Sequence, residues 1–441
     1  MTRSADLYRE ALKYLPGGVS RNTLLRPGGT PFYAAFGTGC RVTDVDGVER
    51  IDFANNMAAL IHGHAHPQIT AAVTEAVSRG TAFTMATETE VTYAQALCER
   101  AKGFDKIRFI NSGTEAVMAG LKAARAFTGR AKIAKVEGTY HGAYDYAEVS
   151  QAPKPDNWGA ESEPNAVPLA RGTPPGVVDD VIILPFNDPE QALARLEPHG
   201  EEIAAVLLDP VPHRAGLTPA SPAFVQALRQ WTRAHGALLI FDEVITFRTE
   251  YGGVQERYDD QPDLTTMGKM IGGGFPVGAL AGSEEAMSVF ETGAHGLRLP
   301  HSGTFSANPV TMTAGEAAMA LYDRDAVARL NRLGDTARAQ IGEAIRLADI
   351  PACITGTGSM FRIHFKPRPP KNYRESFETA PELAAAQGFI EHMYGAGIMM
   401  IHTCTGMLST PMGEAEISQM AETALGGFRK VRSLLPEPVR D

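Results

Sequence analysis

The sequence predicts an α/β protein: a mainly parallel sheet flanked by helices, joined to a smaller α+β domain. Two observations predict it. Between about residues 66 and 310, short apolar runs alternate with helical stretches, the pattern of a sheet covered on both faces. The chain is also long, 441 residues of which 44% are hydrophobic, enough for a large core and more than one domain. Residues 66–310 are expected to form the large ligand-binding domain. Residues 1–65, a helix and a hairpin, and residues 311–441 are expected to form the small one.

The elements follow in order. Residues 4–15 read as a helix ended by Pro16-Gly17-Gly18. Residues 40–53 alternate apolar and polar around Asp46-Gly47, a hairpin signal. Strands are expected at 107–110, 133–136, 181–184, 203–208, 237–241, 264–267 and 277–281, with helices at 113–127, 189–197, 222–235 and 283–290. A long proline-rich connection, residues 150–178, reads either as a lid or as a surface insertion. Residues 309–348 read as helix with short breaks. A strand is expected near 360–365, with helices over 382–395 and 413–432.

Composition excludes several classes. Forty-one basic residues against 51 acidic give a net charge of −10, so a broad nucleic-acid footprint is not expected. The four cysteines lie far apart, without metal-knuckle or redox spacing. No apolar run reaches membrane-spanning length, and the N-terminus has no signal-peptide core. A cytoplasmic protein is the expectation. His62, His64 and His66 have the alternate spacing that could place them together on zinc, but no carboxylate or cysteine cluster completes the set, so no metal site is expected.

Five segments carry chemistry. The apolar run ending in Asp242 and Glu243 puts carboxylates at a strand's carboxyl end, where such sheets bind ligands. Lys269 follows a strand and precedes a glycine run. Asn111-Ser-Gly-Thr-Glu-Ala116 reads as strand, turn and helix start. Free N–H groups there, with the Ser112 and Thr114 hydroxyls about Gly113, suit a phosphate; plain helix capping is the alternative. Tyr140, in Gly138-Thr-Tyr-His-Gly142, could lie flat on a planar ring. His301-Ser-Gly-Thr-Phe-Ser-Ala-Asn-Pro309 is a polar turn before a helix. Together they describe a planar, phosphorylated, electrophilic heterocycle bound by a lysine: pyridoxal 5′-phosphate.

With these stretches, and with Leu15-Pro-Gly-Gly-Val19, Asp44-Val-Asp-Gly47, Gly63-His-Ala-His-Pro67, Phe241-Asp-Glu-Val244 and Ile271-Gly-Gly-Gly274, the chain resembles the class III aminotransferases of fold type I. It is most similar to their glutamate-1-semialdehyde 2,1-aminomutase branch, from about Tyr8 to Leu434. The resemblance implies that Lys269 forms the Schiff base and carries protons. It implies that Asp242 keeps the pyridine nitrogen protonated, that Ser112, Gly113 and Thr114 take the phosphate, and that Tyr140 and Val244 pack on opposite ring faces. Thr304 is implied to reach the phosphate of a neighbouring subunit, hence a homodimer with shared active sites. A non-enzymatic member would be expected to lack Lys269 or Asp242, and both are present.

The sequence departs from the aminomutases at substrate positions. They resemble one another in an arginine where this chain has Leu24. Here Arg21 follows the Pro-Gly-Gly-Val turn, as in related β-amino-acid transaminases. The aminomutase glutamate is missing from His402-Thr-Cys-Thr405, and Thr403 stands where β-phenylalanine transaminases carry a second arginine. Arg214 stands where the aminomutases have asparagine. Arg21 and Arg214 are therefore the candidate substrate-carboxylate ligands. The expected reaction is ping-pong transfer of an amino group from an amino acid, β-amino acids included, or a related amine, to a keto acid. Aminomutase activity is the alternative.

Overall fold

The computed structural model describes residues 2–26, 29–293 and 296–436. The chain divides into two compact units. One comprises Met1–Pro67, Arg329–Pro369 and Glu378–Asp441; the other comprises Gln68–Ala328 and Pro370–Phe377.

In the first unit, β1 (Ala34–Thr38), β2 (Arg41–Asp44) and β3 (Glu49–Asp52) form an antiparallel meander. Gly47 turns the hairpin at φ +82°, and Asp44 Oδ1 accepts from the Asp46 and Val48 N–H groups. After β3 the chain makes an uncommon left-handed turn, with positive φ at Asn55, Asn56, Met57 and Ala58. Asp52 holds its entry, accepting from the Ala54 and Asn55 N–H groups at 2.9 and 2.8 Å. His64 closes on the other Asp52 oxygen at 2.8 Å, while His62 meets the Thr410 hydroxyl.

The second unit holds β4 (Lys106–Ile110), β5 (Lys132–Val136), β6 (Val181–Leu184), β7 (Ile203–Leu208), β8 (Leu238–Asp242), β9 (Leu264–Gly268) and β10 (Gly278–Gly282). Among the described residues these seven form one sheet in the order β4-β10-β9-β8-β7-β5-β6. Only β10 runs antiparallel to its neighbours. Strands β6 to β10 are buried throughout, as a sheet covered on both faces requires. The helix Gly113–Thr128 turns Ala116, Ala119, Gly120, Ala123 and Ala124 inward, small residues that let it lie close on β9 and β10. Ser221 and Pro222 start the helix Pro222–His235, and Gly236 in the left-handed region ends it.

A minor hairpin pairs β11 (Thr292–Gly293) with β12 (Gly296–Leu297). Back in the first unit, β13 (Cys353–Thr355), β14 (Met360–His364) and β16 (Thr405–Met407) form a three-stranded sheet. The short β15 (Ile398–Met399) adds parallel to β3.

The 309–348 stretch is helix with a short break, as expected: Pro309–Leu321 and Arg324–Leu347 are separated at Tyr322 and Asp323. Two expectations need correction. The 283–290 helix is one turn, Glu284–Met287, followed by a 3₁₀ turn. The helices Pro67–Arg79 and Glu88–Arg100 were not expected; few of their residues are buried, so their apolar stripe is weak in the sequence. Among the described residues no helix is long and apolar enough to cross a membrane, and no three His, Cys, Asp or Glu side chains are placed to hold a metal.

Gly278 registers the site's scaffold, pairing with Ile110 on one side and Gly268 on the other. A Cβ there would stand 2.1 Å from the Ser112 carbonyl oxygen. Gly278→Ala is expected to cost at least about 2 kcal/mol, because backbone must move to admit the methyl. Thermal and urea unfolding of the variant check this; an unchanged transition would contradict the register.

Candidate active site

Five strands deliver side chains to one edge of the large sheet. At their carboxyl ends, β4 leads to Ser112–Thr114, β5 to Tyr140 and His141, β7 to Asp209 and Arg214, β8 to Asp242, and β9 to Lys269. That edge is where open α/β sheets hold their ligands.

Asp242 is buried and already receives three hydrogen bonds. His141 Nδ1 lies 2.7 Å from Oδ2, and the Thr266 hydroxyl and Val244 N–H donate to Oδ1 at 3.2 and 3.0 Å. Burial pushes His141 below the usual histidine range, and Asp242 beside it opposes that shift. The other ring nitrogen, Nε2, lies 2.9 Å from Thr139 Oγ, whose own proton goes to the Val136 carbonyl at 2.7 Å. A carboxylate has about four lone-pair sites, so Asp242 keeps room for one more donor.

The turn after β4 shows which of its groups are free. Ser112 Oγ is the N-cap: it accepts from Glu115 N–H at 3.2 Å and faces Glu115 Oε2, which also accepts from Asn111 N–H. Thr114 Oγ accepts from Ala143 N–H at 3.2 Å, which leaves its own proton to give. The first-turn N–H groups of Gly113 and Thr114 have no helical acceptor. The turn thus offers two N–H groups and one hydroxyl to an anion. Gly113 and Gly268 make space beside Val244: a Cβ on Gly113 would stand 2.9 Å from Val244 Cγ1, and one on Gly268 3.5 Å away. Gly142 likewise lies against Thr114, joining the Tyr140 turn to the anion turn.

Lys269 sits at φ +52°, a strained conformation for a residue with a side chain. Burial pushes its ammonium below the ordinary range, while Asp242 and Asp209 oppose the shift. Both charges that act on it are negative, so desolvation alone does the lowering. Asp209 is buried too, and burial and Asp242 push its carboxyl well upward.

Tyr140 keeps 42% of its surface exposed, so a face remains for a ligand. Arg214, on the 3₁₀ turn His213–Ala215, is half-buried, and its charge is felt by Tyr140 and Lys135. Thr304 is exposed in the 301–308 turn, which Arg108 ties to β4 through the ring and carbonyl of His301 at 3.0 and 2.7 Å. Arg21 lies in the other unit, exposed, and donates to Asn56 Oδ1 at 2.8 Å. Ser112, Gly113, Thr114, Tyr140, Asp242, Val244 and Lys269 are thus brought to one edge. Thr304 stands on an exposed turn of the same unit.

Sequence reasoning missed His141, Asp209, Thr266 and Lys135. His141 sat inside a quoted motif and follows Tyr140 directly, so its neighbour was the available signal. Lys135 carried none: a lysine in an apolar strand reads as a solvent-facing end. It is wholly buried, with Nζ donating to the Thr139 and Val149 carbonyls at 3.2 and 2.8 Å.

A doubly covered, mostly parallel sheet with a buried acid, a desolvated lysine and an anion-binding helix start defines an enzyme site for a planar phosphorylated cofactor. The family model "Aminotransferase class-III" matches residues 27–412, and the chain belongs to that family, whose cofactor is pyridoxal 5′-phosphate. It is 40% identical over 394 residues to a glutamate-1-semialdehyde 2,1-aminomutase of Methanothermobacter thermautotrophicus, covering 89% of this chain and 90% of that one. The structure of an omega-transaminase from Sphaerobacter thermophilus is 48% identical, with a TM-score of 0.95 over 98% of both chains. A β-phenylalanine aminotransferase from Variovorax paradoxus is 33% identical, with a TM-score of 0.84 over 95% of this chain and 92% of that one.

Two outcomes follow from the geometry. Thr114→Val is expected to weaken cofactor binding by about tenfold, the loss of one charge-assisted hydrogen bond, with little change in the apoprotein's Tm. Ser112→Ala is expected to lower that Tm by removing a cap worth about 1 kcal/mol. Equilibrium dialysis and thermal unfolding separate the two.

Lys135 gives a pH signature. Burial first, then Arg214, lowers its ammonium to about 7, while Glu137 opposes. The unfolded chain therefore binds the extra proton between pH 7 and the ordinary lysine value, and native stability from this group rises with pH across that window. Lys135→Met removes the group. The Tm of wild type relative to Lys135→Met is expected to climb from pH 7 to pH 10; a constant difference would show that the lysine does not titrate there.

Proposed function

We propose that the protein is an external aminotransferase, transferring an amino group from an amino acid, β-amino acids included, or a related amine to a keto acid. The observation that carries this reading is the set of substrate positions. Arg21 and Arg214 are present, Leu24 replaces the aminomutase arginine, and His402-Thr-Cys-Thr405 holds no acid. The likeness to an omega-transaminase over 98% of both chains supports it. The second reading is a glutamate-1-semialdehyde 2,1-aminomutase, favoured by the 40% identity to the Methanothermobacter enzyme.

When bound, pyridoxal 5′-phosphate supplies an electrophilic carbonyl and an electron sink. The chain supplies the rest. Gly113 and Thr114 bind the phosphate through two N–H groups and a hydroxyl, with Ser112 capping the helix that presents them. Asp242 holds a proton on the ring nitrogen through its remaining lone pair, and His141 and Thr266 fix that carboxylate. Tyr140 and Val244 take opposite faces of the ring. Lys269, whose ammonium form burial disfavours, takes and returns a proton at Nζ. Arg21 and Arg214 are the candidate partners of a substrate carboxylate.

The working form is proposed to be a homodimer in which Thr304 reaches the partner's phosphate. Thr304 stands on an exposed turn, and Phe83, Met85, Val91 and Phe305 in the same unit are exposed apolar side chains, Met85 at 83%. Such exposure suits burial against a second copy.

The test is a single-turnover panel without keto acid. It holds α-amino acids, β-amino acids, simple aryl-alkyl amines and 4,5-diaminovalerate. Bleaching of the cofactor's visible band with release of free keto product by one amine class is expected, and names the donor. A response to diaminovalerate alone would overturn the transaminase reading in favour of the aminomutase. No response from a loaded enzyme would overturn both.

A further inference from the structure

We propose that Tyr373 is a specificity-determining positioning residue, whose hydroxyl sets Arg214 beside Tyr140 as the anchor for a substrate carboxylate. The inference rests on the reading above that the site takes an amino acid.

Residues 370–377 form a strap that packs with the larger unit although the chain on both sides belongs to the other. Within it, Tyr373 starts the short helix Tyr373–Ser376. Its ring lies directly on Gly138, where a Cβ would stand 2.0 Å from Tyr373 Cγ. Only glycine, here at φ +72°, admits that contact in the turn leading to Tyr140.

The Tyr373 hydroxyl donates to the Pro153 carbonyl at 2.9 Å. With its one proton committed there, the phenol oxygen is left as an acceptor. The helix Tyr373–Ser376 packs on the turn His213–Ala215, close enough for the charge and hydrogen bonding of Arg214 to offset part of the rise that burial causes in the phenol. The turn bearing Arg214 is packed on the same strap. Thr218 Oγ donates to the Pro370 carbonyl at 2.9 Å, and a Cβ on Gly216 would stand 2.9 Å from Ser376 Oγ.

Tyr373 is itself held by its neighbour. Arg374 Nε and Nη2 bond both oxygens of Glu137 at 2.8 and 2.9 Å. The same guanidinium donates to the carbonyls of Trp158, Gly159 and Ala160. The strap, the 153–160 stretch and the start of the Tyr140 turn are thus one bonded body.

Within it, Arg214 is the cation felt at Tyr140. Lys135 is committed to two carbonyls. Arg214 makes no ion pair among the described residues and stays half-buried. Its turn touches Tyr140, with the His213 and Tyr140 rings 6.1 Å apart. A guanidinium held at one edge by a tyrosine, with its fork open, suits a carboxylate. Fixing the side chain beforehand removes rotamer entropy that binding would otherwise have to supply.

The test compares holoenzymes of wild type, Tyr373→Phe and Arg214→Ala. The substrates are 3-amino-3-phenylpropanoate and 1-phenylethylamine, which differ by the carboxylate alone. Binding of unreactive 3-phenylpropanoate is read from the cofactor's visible absorption. Tyr373→Phe keeps the ring on Gly138 and loses the hydroxyl. It is expected to raise KM for the amino acid and Kd for phenylpropanoate about tenfold, with kcat within twofold and the amine unaffected. Arg214→Ala is expected to raise both further. If Arg214→Ala raises them and Tyr373→Phe does not, the positioning role is overturned while the anchor stands. If Tyr373→Phe slows the amine equally, its role is structural and the proposal is overturned. If Arg214→Ala leaves phenylpropanoate binding unchanged, the anchor itself is wrong and the inference falls with it.

Discussion

The constraint on which the larger unit depends is the burial of a carboxylate at the end of β8. A bare Asp242 in that interior would cost several kcal/mol. Three donors from three different elements meet it: the His141 ring after β5, the Thr266 hydroxyl on β9 and the Val244 N–H just beyond β8. Each donor depends on strand register. Thr266 reaches Asp242 because the two residues are paired across β8 and β9. His141 reaches it because β5 and β8 flank β7 and end at the same edge. The same register brings Lys269 out one residue past β9, where the acids oppose the loss of its proton and burial outweighs them. Acid and amine are therefore set by one sheet, and a shift in any central strand would disturb both.

The legible part of this arrangement was the strand ends. Apolar runs bounded by Asp242, Lys269 and the Asn111-Ser-Gly-Thr turn mark the sheet and its ligand edge, because a covered sheet needs continuous apolar strands and its chemistry sits where they stop. The antiparallel insertion of β10 was not legible, since direction leaves no mark on an apolar run. The weakly buried helices Pro67–Arg79 and Glu88–Arg100 were missed for want of a wide apolar stripe. Side-chain commitments were the least legible. Ser112 looks like a phosphate ligand in sequence, yet its hydroxyl caps the helix and bonds Glu115, and the donor left over is Thr114. Lys135 reads as a surface residue and is enclosed by carbonyls. In each case the deciding fact is which groups are already paired, and that depends on how the local chain folds back rather than on residue type.

The 150–178 connection shows how the two readings of a long loop are resolved by hydrogen bonding. Ser150 bonds Val167 and Asn165 across its base, and Asn165 returns to Trp158. Arg374 then gathers three successive carbonyls at its tip. A lid must exchange its protein contacts for water at small cost. Opening at 158–160 would strip three carbonyl acceptors from the Arg374 guanidinium, which is largely buried beside Glu137. That stretch is a wall in this structure, and any gating must come from another part of the connection.

This bears on the choice between the two reactions. An aminomutase must keep its five-carbon intermediate in place between two nitrogen transfers. A transaminase must release a keto product and admit a second substrate, and it needs a carboxylate anchor that serves both partners. The 158–160 wall is tied by three carbonyls to one largely buried, ion-paired arginine. It gives a constant surface against which Arg214 can be held by Tyr373. Selectivity in such a site comes from preorganised charge rather than from closure, so substrates sharing a carboxylate at the right distance would be accepted in turn. That is the property ping-pong transfer requires, and it is why the fixed strap, more than the loop it restrains, favours transfer between two molecules over rearrangement within one.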